Sequence, residues 1–351
     1  MTNTITRVRV DPTTDPVWQR LLQRHPAGLF HSPEWLRVLP ATYGLAVESL
    51  VLLDDSGEPE AGLPYCVLSD PRGERVASLP FSDYCDPLVS TSEQWQALAD
   101  GLLALGLPVS LRCLHNAVPL DDARFPLIKR AHWHGLDLDR SLDDLWMAID
   151  PAARRAIRKA ERSGLTVRLA QGEDDLRAFF ALHLGIRKYK YGLLAQPFRF
   201  FQAIREQFVD SGRFALMLAE MDGEAVGGVL YLAWGETLYY KFSASSLSRL
   251  ELRPTDLLIW EGIRHAKERG LRRIDLGLSD WDQDGLVRYK RKFASREGTI
   301  SFLHHASARP ATEAEQEVGA LLGRLTGLFT DPSVPDPISE RAGALLYRYF
   351  G

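Results

Sequence analysis

Hydrophobic positions recur along the chain in two rhythms, and the second half sets them out most plainly. Residues 174–190 and 197–209 place apolar side chains at helical spacing, with Pro197 near the second start. Residues 214–221, 225–234 and 236–244 then alternate as strands, broken at MDGE and WGE, so that a meander follows two helices. Pro254-Thr255 opens a further helix through Leu257, Leu258, Trp260, Ile263 and Ala266; Gly270 ends it, and a strand over 272–276 follows.

The first half repeats this style less clearly. Ser32 as N-cap and Pro33 in the first turn predict a helix over 32–41, with Trp35, Leu36 and Leu39 on one side. Residues 46–53 and 61–68 read as an antiparallel hairpin turned at DDSGEPE, and 76–82 and 108–114 add two strands. The segments EPEAGLPYCVL (58–68) and DGEAVGGVLYL (222–232) share an acidic turn, a glycine and an apolar strand, which suggests a duplicated fold. The expected class is α+β, with largely antiparallel sheets. At 351 residues two domains are expected, placed at 1–145 and 146–305. An extension over 306–351 holds a polar helix around 312–329, a proline-rich linker and a last helix striped by Ile338, Ala342, Leu345 and Leu346. Docking of that helix on the body is the plainer expectation, and contact with a membrane surface or dimerisation the other.

Charge separates the halves more sharply than the net value of −4 suggests. Residues 1–150 carry 12 Lys/Arg against 21 Asp/Glu, and residues 151–351 carry 30 against 25, giving −9 and +5. Affinity for a polyanion is therefore expected in the second half. The densest feature there is LRRIDLGLSDWDQDGLVRYKRKF (271–293), a short strand, an Asp/Gly loop and then a basic run. Arg187, Lys188 and Lys190 alternate with Tyr189 and Tyr191, either as a nucleotide groove or as a plain helix end.

Several function classes drop out. Cys66, Cys85 and Cys113 have neither paired nor metal-like spacing, which fits a reducing cytoplasm. The N-terminal MTNTITRVRVDPTTDP lacks an apolar signal core, and no run approaches the ~18 apolar residues that span a bilayer. Asp280, Asp282, Asp284 and Gly285 imitate a calcium loop, but Arg291 stands where a bidentate Glu is needed. His132/His134 and His304-His305 lack ligand partners, so no metal is expected.

The order helix, helix, three antiparallel strands, helix, strand resembles the acetyltransferase-like GNAT domain. RRAIRKAERSGLTVR (154–168), DGEAVGGVLYLAWGETLYYKFSAS (222–245), HAKERG (265–270), IDLG (274–277) and GLVRYKRKF (285–293) narrow it to the FemAB family. LFHSPEWLRVL (29–39) and SLPFSDYCDPLV (78–89) resemble its BioF2-like N-acyltransferase members, so the likeness covers roughly 25–305. It implies two tandem GNAT-like domains and acyl transfer to an amine. The family's best-known members move an aminoacyl group from aminoacyl-tRNA to a peptidoglycan precursor in cell-wall biogenesis.

Attack of an amine on an ester passes through a tetrahedral oxyanion, which a fixed cation stabilises. Lys290 is the candidate, because the family's phenylalanine-lysine pair, whose lysine is associated with catalysis, corresponds to Tyr289-Lys290; phosphate binding is its alternative role. Phe293-Ala294 departs from the family's aromatic-glycine pair. Arg155 and Arg158, three apart on one helix face, would clamp a phosphate as the family's equivalent arginine does. Asp83 is the candidate general base, with turn capping as its alternative. Tyr239 and Lys241 share a strand face, and with Tyr289 and Trp35 complete the substrate-binding candidates.

Acyl-CoA-dependent GNAT proteins carry a glycine-rich turn that cradles pyrophosphate on backbone N–H groups. After 236–244 the chain instead reads SASSLSRLELRPT. No resident cofactor is expected, with aminoacyl-tRNA as donor and acyl-CoA as the alternative. The expected acceptor is a nucleotide- or lipid-linked cell-envelope precursor or an amine metabolite, an amino sugar in the acyl-CoA case. A catalytically silent tRNA- or glycan-binding relative is the third reading, and DNA is not an expected partner.

Overall fold

The computed structural model describes residues 6–306 and 312–351; the start of the C-terminal extension lies outside the described residues. Two compact units emerge. Met1–His132, Gly298–Leu321 and Gly351 form the first, and Trp133–Glu297 with Leu322–Phe350 form the second.

In the first unit, β1 (Thr6–Val10), α1 (Pro16–Arg24) and α2 (Pro33–Tyr43) precede β2 (Glu48–Leu53), β3 (Pro59–Asp70) and β4 (Gly73–Ala77). Then come α3 (Ser92–Leu103) and β5 (Val109–Cys113). Ser32 Oγ caps α2 by accepting the Trp35 N–H, and Gly44 closes it in the left-handed region (φ 66°). The strands β1 to β4 pair antiparallel in chain order, and β4 pairs parallel with β5 across α3. Leu52, Leu63, Tyr65, Trp95, Leu98 and Leu111 fill the core beneath α3.

The chain continues through β6 (Leu127–Asp137), α4 (Leu142–Ala148), α5 (Pro151–Arg162), β7 (Thr166–Leu169), α6 (Glu173–Gly185) and α7 (Phe198–Phe208). Next are β8 (Phe214–Met221), β9 (Glu224–Trp234), β10 (Thr237–Ser245), α8 (Pro254–Glu268), β11 (Arg273–Asp280) and α9 (Asp284–Arg291). The last elements are β12 (Arg296–His305), α10 (Glu313–Phe329) and α11 (Asp336–Leu346).

The second unit repeats the first in order. A strand, two helices, a three-strand antiparallel meander and a helix lead to a strand parallel to the last of the meander. The repeat suggested by the 58–68 and 222–232 segments is thus a repeat of topology. β12 does not close this unit: Ser301–His305 pair antiparallel with Val109–Cys113 of the first, which is why the compact units are discontinuous in sequence.

Glycines set the thickness of the second unit. A Cβ on Gly227 would lie 2.7 Å from Pro254 Cβ, and one on Gly228 would lie 2.6 Å from Phe179 Cδ2. Neighbouring residues on a strand face opposite ways, so the pair lets α8 approach one face of the sheet and α6 the other. Phe179, Phe180, Phe200, Phe201 and Phe242 make edge-to-face contacts on the α6 side. Ala153, Ile157, Leu258, Ile263, Ile274 and Leu276 pack on the α8 side. Among the described residues no helix is long and apolar enough to cross a membrane.

Candidate active site

The second unit's sheet opens where β10 leaves β11. Only Thr237–Tyr239 pair with Arg273–Asp275, after which a register shift between Tyr240 and Phe242 turns β10 aside. β11 bends too: Gly277 has φ 73°, and its N–H donates to Asp275 Oδ1 at 2.7 Å. A side chain at position 277 would strain that turn.

Lys290 holds the bend from α9. It is 6% exposed, and its ammonium donates to the Gly277 carbonyl at 3.0 Å and the Leu278 carbonyl at 2.7 Å. IDLG and RYKRKF, distinct in sequence, therefore form one structure, a kinked strand end gripped by a buried cation.

Beyond the divergence lies a cavity of about 600 Å³. Tyr240 and Ser243–Ser245 of β10, Arg253 and the first residues of α8, Gln283, Gly285, Leu286 and Tyr289 line it, with Ile186, Lys190, Tyr191 and Leu250. α6 supplies the far wall through a π-helical turn, Ile186–Lys190. That turn sends Lys188 inward, where it donates to the Val334 carbonyl and to Asp336 Oδ1 at 2.8 Å, while Lys190 and Tyr191 face the cavity. π-turns recur at functional sites because the extra residue re-aims the side chains around it.

The start of α8 is unusual. Arg253 precedes it in the left-handed region (φ 63°), no side chain caps it, and Pro254 brings no N–H. Ser245 Oγ and Thr255 Oγ lie 2.9 Å apart, tying the helix to the end of β10. Asp256 is only 5% exposed, and its Oδ1 has no hydrogen-bond partner among the described residues. Burial raises its pKa above the ordinary carboxylate value, with Lys292 and Arg253 pulling the other way. The Tyr289 hydroxyl is likewise buried and unpartnered, and burial together with the Asp256 charge drives its pKa well up. Burial also raises Tyr240, despite its hydrogen bond with Ser243.

The residues singled out from sequence fall in different places. Tyr289 lines the cavity; Lys290 is not among the lining residues and instead holds the β11 bend. Tyr239 is 7% exposed opposite Asp275, and Lys241, at the register shift, sets its ammonium 5.4 Å from the Phe242 ring centroid. Arg155 and Arg158 are exposed on α5, and the Arg158 guanidinium lies over Trp146 at 5.3 Å. Trp35 and Asp83 belong to the first unit. Trp35 is fully buried and donates from Nε1 to Ser82 Oγ at 2.8 Å, and Asp83 sits half-buried in the turn that follows.

Asp256, Tyr240 and Arg253 had no functional mark in the sequence. An Asp in the first turn after Pro-Thr reads as an ordinary complement to the helix dipole. The available signal was the missing cap, since Arg at that position leaves α8 without the usual side-chain acceptor.

Residues 152–291 match the family model described as an acetyltransferase (GNAT) domain. No curated protein matches the sequence. Among solved structures, FemX is 15% identical with a TM-score of 0.65, covering 90% of this chain and 99% of that one. L-PGS from Bacillus licheniformis is 14% identical with a TM-score of 0.56, covering 90% and 98%. A tandem GNAT protein from the clavulanic acid biosynthesis pathway is 13% identical with a TM-score of 0.54, covering 88% and 100%. The α+β tandem architecture expected from the FemAB-like resemblance is the one observed. Residues 152–291 thus match an acetyltransferase (GNAT) domain, and the chain has the fold of FemX and of tandem GNAT proteins.

Proposed function

We propose that the protein transfers an aminoacyl group from aminoacyl-tRNA to an amine of a cell-envelope precursor, with the cavity beside α8 receiving the acyl end of the donor. The start of α8 carries this reading. The connection 246–253 contains no glycine, Pro254 offers no N–H, and Asp256 brings a carboxylate to the place where a pyrophosphate would need donors. A coenzyme A pyrophosphate finds no glycine-rich run of backbone donors there, and the amine of an aminoacyl ester has Asp256 among the residues around it.

The acceptor amine adds to the ester carbonyl, the negative charge collects on oxygen, and collapse expels the ribose hydroxyl. Lys290 is assigned to the oxyanion, with its two carbonyl ligands fixing the ammonium. Arg155 and Arg158 are assigned to donor or acceptor phosphates. Acyl-CoA-dependent acylation of an amino sugar is the second reading, favoured by the family model's description as an acetyltransferase domain.

Label transfer from charged tRNA and from acyl-CoA to a panel of amine acceptors separates the two. Transfer from charged tRNA alone is expected, with Lys290→Ala lowering kcat by about 100-fold or more. Transfer from acyl-CoA alone overturns the proposal, and a Lys290→Ala effect confined to binding overturns the oxyanion role.

A further inference from the structure

The C-terminal helix α11 is fastened to an element that walls the candidate cavity. Asp336 Oδ1, in its first turn, accepts from Lys188 Nζ at 2.8 Å and from the Tyr189 hydroxyl at 2.7 Å. Both donors belong to the π-turn Ile186–Lys190. The Lys188 side chain is fully shielded from solvent, and its ammonium also donates to the Val334 carbonyl and the Tyr189 oxygen. Farther along α11, a Cβ on Gly343 would lie 2.4 Å from the Ala195 carbonyl oxygen, so the helix sits directly on the segment that follows the turn. A largely exposed pair, Arg177 and Glu340 at 2.9 Å, adds a tie to α6.

We propose that Asp336 is a positioning residue for the reaction: by neutralising Lys188 it holds the π-turn in the shape that sets Lys190 and Tyr191 against the donor. The inference rests on the cavity receiving the donor, as read above, and holds for either donor. A buried ammonium without a counter-charge destabilises the segment that carries it. Among the described residues Asp336 is the ion-pair partner of Lys188, and Asp331 senses its charge only from a distance. Burial pushes the Asp336 carboxyl up, but the hydrogen bonds from Lys188 and Tyr189 outweigh it and bring its pKa below the ordinary value. The carboxyl is therefore charged at neutral pH.

The shape of the turn decides what the cavity presents. A π-turn inserts one residue into a helix, so the side chains after it are re-aimed. Lys188 is turned to α11 and is not among the lining residues, whereas Ile186, Lys190 and Tyr191 line the cavity. Tyr191 is 49% exposed, and its ring centroid lies 5.2 Å from the Lys190 ammonium. Backbone placement at 186–191, rather than close packing around these two side chains, therefore fixes this wall, and relaxation of the turn would shift both.

Amide hydrogen exchange of the full chain, together with steady-state kinetics on whichever donor supports transfer, tests the assignment. Asp336→Asn is near-isosteric and leaves the ammonium without its counter-charge. Exchange at 186–195 is expected to quicken by about tenfold or more while β9 stays unchanged. In the same variant kcat/KM for the donor should fall by about 10- to 100-fold, chiefly through KM. Asp336→Glu keeps the carboxylate and should recover most of both. Lys188→Met removes the buried charge instead of stranding it, so the chain still folds, and kcat/KM should fall by about tenfold because the tie to α11 is gone. Glu340→Gln breaks the exposed pair without touching the turn and should leave exchange and kinetics at the wild-type level. Unchanged exchange at 186–195 in Asp336→Asn overturns the inference. Faster exchange with kcat/KM unaltered, in a protein where Tyr191→Ala lowers kcat/KM, overturns it too and leaves the cavity reading standing. If Asp336→Asn and Tyr191→Ala both leave kcat/KM unaltered, the cavity is not the donor site and both readings fall.

Discussion

At the scale of single residues, Asp256 carries a cost in stability. Its carboxyl is buried without a full set of partners, and burial raises its pKa above 3.8. A group whose folded pKa is raised contributes its full stability below the unfolded pKa and loses it as pH rises through the folded value. The charged form is therefore a liability at neutral pH. Asp256→Asn removes the charge and keeps the shape, so it should raise stability at neutral pH by about 1–2 kcal/mol. The gain should fade below about pH 4, where both states are protonated. Urea midpoints of both proteins across that range check the sign; an equal midpoint at neutral pH would show the carboxyl to be solvated. Nothing in the residue PTD foretold this, because exposure is a tertiary property. Lys290 stands out in the sequence through its motif, but its two carbonyl ligands come from a bend 12 residues away in sequence or more.

Elements were more readable than sites, for a physical reason. The meander 214–244, the helix after Pro254 and the Ser32 cap depend on local periodicity, turn residues and backbone capping, all written in adjacent positions. Apolar spacing predicts one helix over 174–190, whereas α6 ends at Gly185 and passes into the π-turn. Its apolar spacing persists, and it is the buried Lys188, tied to Asp336, that re-aims the last turn. Close packing between elements is equally invisible in sequence. On α8, a Cβ at Gly262 would lie 2.3 Å from Tyr231 Oη, whose hydroxyl donates to the Leu258 carbonyl. Gly262→Ala gains about 1 kcal/mol in helix propensity but meets a buried ring. Overpacking costs of about 1–3 kcal/mol exceed that gain. The expected result is a lower urea midpoint at unchanged slope; a higher midpoint would mean that α8 can retreat from the sheet without loss.

Across the whole molecule, charge is distributed so that the acidic excess lies in residues 1–150 and the basic excess in 151–351. α5 concentrates the latter: Arg155, Arg158, Lys159 and Arg162 are exposed along it, over a buried stripe of Ala153, Ile157 and Ala160. A stripe of that kind would form in any amphipathic helix, so the stripe alone does not assign a partner. The stacking of Arg158 on Trp146 adds orientation, since a guanidinium held over a ring loses less freedom when it meets a phosphate. If α5 receives the tRNA backbone, each arginine in contact releases about one counterion, and removing both should lower the slope of log K against log salt by about 1–2. Arg155→Ala/Arg158→Ala is therefore expected to weaken charged-tRNA binding most at low salt, with the two proteins converging as salt rises. Filter binding over a salt series measures it. An unchanged slope with uniformly weaker binding would place the two arginines in packing around Trp146, leaving the polyanion to another face of the second half.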